Sequence, residues 1–131
     1  MVRSVRGVGS PDDSDADGAV LSPGRRPNRI ADFGLIGDCH TTALVGRNGA
    51  IEWLCFPRPD SPAVFCHVLD DQHGGTFAVR VDGECRVSRR YLPDALVLVT
   101  TWTTATGVLE VTDCMPVAPF DLAAPTRSEE R

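Results

Sequence analysis

Arg58 and Asp60 stand two positions apart in the segment Phe56-Pro57-Arg58-Pro59-Asp60-Ser61-Pro62. Its three prolines exclude it from a strand interior and stiffen it as a loop. A guanidinium can donate to sugar hydroxyls, and a nearby carboxylate can accept from them. Trp53, a few residues upstream, would add an apolar face for a sugar ring. Trp53, Arg58 and Asp60 are therefore the candidate substrate-binding residues, on a loop at the rim of a larger site. The same residues admit a purely internal role: an Arg–Asp clasp fixing a proline-rich turn, with Trp53 in the core. Both readings stay open on the residues alone.

The other reactive groups carry less. Asp38, Asp60 and Asp113 could be drawn together as a carboxylate pair, but each sits beside a turn or strand end, where Asp commonly accepts backbone hydrogen bonds. Cys55, Cys66, His67 and His73, with Cys39 and His40, hold metal-binding atoms. However, Cys66-His67 and Cys39-His40 are adjacent pairs whose side chains diverge in regular structure, whereas zinc wants converging ligands. No metal, no cofactor and no catalytic residue is expected in this chain. Arg86, Arg89 and Arg90 suggest either an anion site or a solvated strand face. Phosphate-loop and nucleophile-elbow patterns do not occur.

The bulk properties narrow the class. A chain of 131 residues has room for one core. Its net charge of −5 argues against a nucleic-acid partner. No apolar run approaches the ~20 residues of a membrane helix, and no signal-peptide core follows Arg3 and Arg6. A cytoplasmic protein without membrane association is the expectation. Five cysteines without zinc-type spacing then read as reduced, small, buried hydrophobic residues.

The elements that must position the loop are strands. Apolar runs at 43–45 and 51–54 flank Arg47-Asn48-Gly49. An Asn-Gly pair between such runs is a strong hairpin signal, because both residues tolerate positive φ. A hairpin of 40–46 with 50–55 follows. Residues 62–70 carry Val64, Phe65, Val68 and Leu69 near helical spacing behind Pro62, which predicts one short helix. Alternation of Phe77, Val79 and Val81 predicts a half-buried strand over 76–81. A weaker strand covers 85–91. A second hairpin joins 95–103 to 108–114, dense in β-branched residues. Residues 1–28, rich in Ser, Pro, Gly and Asp, read as a disordered leader. Residues 29–118 form the domain, and 119–131 a disordered tail. The fold class is all-β, an antiparallel sandwich with at most one short helix.

Several strings together resemble a known family. They are Gly-Leu-Ile-Gly-Asp-Cys (34–39), Asn-Gly-x-Ile-x-Trp-Leu-Cys-x-Pro-Arg-x-Asp-Ser-Pro (48–62), Ser-Arg-Arg-Tyr-Leu-Pro-Asp (88–94) and Val-Thr-Asp-Cys-Met-Pro-Val (111–117). Residues 29–118 resemble the N-terminal, trehalase-like domain of glycoside hydrolase family 15, in its trehalase and glucoamylase branch. The resemblance implies a supersandwich-type β domain beside a C-terminal (α/α)6 barrel. In that family two barrel glutamates hydrolyse α-glucosidic bonds with inversion, which needs carboxyls ~6.5–9.5 Å apart. Trehalose is the leading substrate implied. Pro59 departs from the pattern, which has an aromatic there.

Residues 118–131 are polar and proline-broken, unlike the further strands the resemblance implies. The expectation is an incomplete sandwich, inactive by itself and prone to self-association through an uncovered sheet face. Its implied partner is the barrel. The alternatives are a free-standing carbohydrate-binding module and a non-functional fragment.

Overall fold

The structure is a computed structural model and describes residues 1–9, 19–21 and 29–117. Among the described residues nine strands make two antiparallel sheets, with one 3-10 turn at Ile30–Asp32. The strands are β1 (Val2–Val8), β2 (Ala19–Leu21), β3 (Gly34–Gly37), β4 (Thr42–Val45), β5 (Ile51–Cys55), β6 (Ala63–Phe65), β7 (Cys85–Tyr91), β8 (Leu98–Thr103) and β9 (Val108–Cys114). The five-stranded sheet runs β1-β9-β8-β7-β2 and the four-stranded sheet β3-β4-β5-β6. The expected all-β sandwich is what forms.

The first hairpin forms for the reason its turn suggests. The Asn48 side chain accepts from the Ala50 N–H at 3.0 Å, the Gly46 N–H bonds the Ala50 carbonyl at 2.7 Å, and Gly49 takes φ +72°. Glycine is required there twice over. A Cβ on Gly49 would meet the Trp102 ring at 2.5 Å, so the turn of one sheet lies directly on the central strand of the other. Between the sheets Ile36, Ala43, Val45, Ile51 and Leu54 pack with Leu98 and Met115. A second cluster gathers Cys85, Val87, Trp102 and Val111 under Val79 and Val81. The second hairpin is the expected one, with strand ends at Leu98–Thr103 and Val108–Cys114.

Three segments differ from the sequence reading. The helix expected over 62–70 is absent. Ala63–Phe65 is instead strand β6, with Leu54 opposite Phe65. Phe65 packs on the core, and the chain then closes a tight loop in which the Cys66 N–H bonds the Gly74 carbonyl at 2.7 Å. Gly74 allows this closure, since a Cβ there would meet the Cys66 backbone at 2.5 Å. Over 76–81 only Phe77 bridges, to Ile51. Val79 and Val81 still pack inward, so the alternation marked burial without a ladder. Within the leader expected over 1–28, Val2–Val8 pairs along β9 and Ala19–Leu21 pairs with β7. The rest of that leader and the tail expected over 119–131 lie outside the described residues. Among the described residues no helix is long and apolar enough to cross a membrane.

Candidate functional site

The loop after β5 is organised by Arg58 and Asp60 themselves. Arg58 Nε donates to Asp60 Oδ1 at 3.0 Å, and Nη2 donates to Oδ2 at 2.8 Å. Ser61 closes the turn: its N–H bonds the Arg58 carbonyl at 3.0 Å, and its hydroxyl accepts from the Arg58 N–H at 3.2 Å. The fork-to-fork pair is the clasp anticipated as the internal role, yet it is not buried. The two side chains remain 69% and 68% exposed, so the pair is a polar knob facing outward. Phe56, at the root of the loop before a cis Phe56–Pro57 bond, is 54% exposed.

Trp53 belongs to a different feature. Leu35 pairs with Leu44, and Leu44 with Trp53. Directly opposed residues share a face of the sheet. Their neighbours in the next register, Ile36, Ala43 and Leu54, fill the core. Leu35, Leu44 and Trp53 therefore form an apolar row on the outer face of the four-stranded sheet. Trp53 and Leu44 are half-buried and Leu35 is 42% exposed. Trp53 is thus not a core residue of the sandwich. The loop hydrogen bonds join Arg58, Asp60 and Ser61 and do not reach Trp53.

The remaining candidates are held elsewhere, each by its own partners. The Asp38 carboxylate accepts from the Thr41 and His40 N–H groups, both at 2.9 Å, and these bonds hold its pKa below the usual carboxylate value. Asp70 is lowered in the same way by the His73 and Gln72 N–H groups. Asp32 is lowered chiefly by the Arg29 N–H, against slight desolvation, with Arg47 assisting. Asp113, fully buried, receives Arg3 Nε at 2.6 Å and Nη2 at 3.0 Å. Asp38, Asp60 and Asp113 are thus three structural anchors on three separate partner sets.

Among the described residues no three His, Cys, Asp or Glu side chains group to hold a metal ion. All five cysteines are free thiols. Cys55 and Cys85 are buried and Cys39 is exposed, and burial raises the Cys85 pKa. The arginine cluster divides. Arg89 is half-buried beneath the first hairpin, donates to the Val45 carbonyl at 3.3 Å and is lowered in pKa by that burial. Arg90 reaches Glu110 at 3.7 Å on the sheet surface.

The residue that sequence reasoning missed is Arg3. Its guanidinium spans from Asp113 to the Gly49 carbonyl at 2.6 Å and the Phe77 carbonyl at 3.1 Å, and lies 4.9 Å from the Phe77 ring centre. It sat in a segment with no apolar face to announce it.

Known proteins place this geometry in a family. The trehalase-like N-terminal domain family matches residues 20–123. The chain belongs to that family. It is 45% identical over 107 residues to a trehalase of Mycolicibacterium smegmatis, covering 78% of this chain and 15% of that protein. It is 41% identical over 116 residues to a trehalase of Mycobacterium tuberculosis, covering 84% and 16%. Trehalase 1 of Sulfolobus acidocaldarius is 43% identical over 98 residues, covering 74% and 17%. The chain therefore spans about one sixth of the length of these relatives. No solved structure gives a significant match. Residues 2–8, which form β1, precede the family-matched stretch.

Proposed function

We propose that this domain is the accessory, non-catalytic part of a trehalase-type glycoside hydrolase. It would pack against a catalytic (α/α)6 barrel and present the Arg58–Asp60 loop toward the rim of the barrel's site. The observation that carries the reading is coverage: high identity to proteins named trehalases, confined to about one sixth of their length. The outer row of Leu35, Leu44 and Trp53 supports it. A sheet apolar on both faces needs a second cover, and a contiguous apolar strip marks an interaction surface. The Arg58–Asp60 fork supports a rim role, since polar groups already paired and facing outward lose less freedom when they meet a substrate or a neighbouring domain. Free thiols at all five cysteines support a reducing, cytoplasmic setting.

Hydrolysis of an α-glucoside, with trehalose the leading substrate, would then require carboxyl groups that this domain does not bring together. The pure chain is expected to release no glucose from trehalose. Turnover that survives repurification and is lost on Asp60→Asn would overturn the accessory reading. Half-exposed Trp53 favours a second reading, a sugar-binding module in its own right. Titration calorimetry with trehalose, maltose and glycogen separates the two. Heats at the dilution baseline fit the accessory domain, and a saturable heat abolished by Trp53→Ala fits the module.

A further inference from the structure

Strand β1 is held chiefly by its backbone. Its seven residues pair with β9 at every position, from Val2 opposite Cys114 to Val8 opposite Val108. Six of the seven are exposed, and Val2, Val5 and Val8 remain 50%, 52% and 45% accessible. The exception is Arg3, whose side chain is 4% exposed. Backbone pairing along an edge and one inserted side chain therefore hold the strand, with almost no apolar burial. That combination is the mode by which sheet edges take up extended peptides: ladder bonds give affinity, and a pocket for one side chain gives specificity.

The pocket is formed by residues far from β1 in sequence. Asp113 on β9 supplies a carboxylate that takes two guanidinium bonds. The Gly49 carbonyl of the first hairpin turn and the Phe77 carbonyl of the bridge supply two more acceptors, and the Phe77 ring covers the guanidinium face. A planar fork with a carboxylate in front, carbonyls at its flanks and a ring over its face is a site selective for arginine. All its parts lie inside the family-matched residues 20–123, whereas the strand that fills it lies outside them.

We propose that the outer edge of β9, together with Asp113, the Gly49 and Phe77 carbonyls and the Phe77 ring, is a receptor site for an extended, arginine-bearing peptide. Residues 2–8 of this chain are its tethered ligand. The strand is separable from the sandwich, and its specificity resides in Arg3. When β1 leaves, water reaches Asp113 and the β9 edge is open to the same segment supplied in trans.

The test uses the full chain. A fluorescent peptide of residues 1–9 is titrated, by polarisation, into the wild-type chain and into its Arg3→Ala variant, whose own strand is a poor competitor. The variant is expected to bind the peptide at least tenfold tighter than the wild type does. Arg3→Ala in the peptide, or Asp113→Asn added to the variant chain, should each weaken binding at least tenfold. A folded variant that ignores the peptide, or binds its Arg3→Ala form equally well, overturns the proposal. Should the variant fail to fold, hydrogen exchange on the wild-type chain decides. The amides of residues 2–8 are expected to exchange together, at least tenfold faster than those of β8. Protection equal to that of β8 would make β1 an integral strand and overturn the proposal.

Discussion

The Arg3–Asp113 pair is a buried ion pair, with side chains 4% and 0% exposed. Removing one member of such a pair costs about 3–5 kcal/mol where the other stays in a low-dielectric interior, and less at β1, where release of the strand admits water to Asp113. Replacing both by apolar groups of similar size is often neutral, because the desolvation of both ions disappears with their attraction. Arg3→Ala is thus expected to release β1 and lower the urea midpoint only modestly, whereas Arg3→Leu with Asp113→Leu should recover most of that loss. Equal losses in single and double variants would show that the pair is not coupled. Asp38 behaves differently, being half-buried and bonded to backbone N–H groups rather than to a cation. Its folded pKa is depressed, so its contribution is complete above the unfolded carboxylate pKa of about 3.9 and is lost as pH falls below it. Asp70 and Asp32 share that sign. The protein is expected to lose stability as pH drops below about 4. Asp38→Asn should flatten that acid slope in denaturation midpoints measured between pH 3 and 7, while costing some stability at neutral pH.

Among the elements, the Asn48-Gly49 turn ties the two sheets together. A side chain at Gly49 would have to adopt φ +72° and would enter the Trp102 ring. Gly49→Ala combines left-handed strain with overpacking and is expected to cost about 2–4 kcal/mol, read as a drop in melting temperature. An unchanged melting temperature would mean that the hairpin is free to shift off Trp102. The same turn shows why part of the fold was legible. Asn-Gly between apolar runs is a local signal, and both hairpins, 42–55 and 98–114, carry their turn chemistry within a few residues. The helix expected over 62–70 rested on spacing alone. Phe65 enters the core while Val64 and Leu69 stay exposed, a division that spacing does not encode. Strand β1 left no alternating apolar pattern, because its attachment is ladder bonding and an inserted Arg3 paired with a residue 110 positions away. In the candidate site, the Arg58–Asp60 clasp was readable because its partners lie two residues apart. The outward direction of Trp53 was not, since it depends on the register of β3, β4 and β5.

For the whole molecule, the two faces of the four-stranded sheet carry the account. Ile36, Ala43, Leu54 and Phe65 satisfy the inner face. Leu35, Leu44 and Trp53 leave the outer face apolar, with the Arg58–Asp60 knob on the loop that leaves β5. A domain built this way is expected to gain stability from a neighbour rather than to act alone, and the length of its relatives supplies the room for one. The most direct measurement exchanges the N-terminal domain of the Mycolicibacterium smegmatis trehalase for residues 1–117 of this chain, intact or with Trp53→Ser, and follows glucose release from trehalose. The intact chimera is expected to be active, and the Trp53→Ser chimera to lose at least tenfold in kcat/KM or at least 5 °C in Tm, while the isolated Trp53→Ser chain melts within about 2 °C of its parent. A Trp53→Ser chimera as active and as stable as the intact one would contradict the assignment of this face to the catalytic partner.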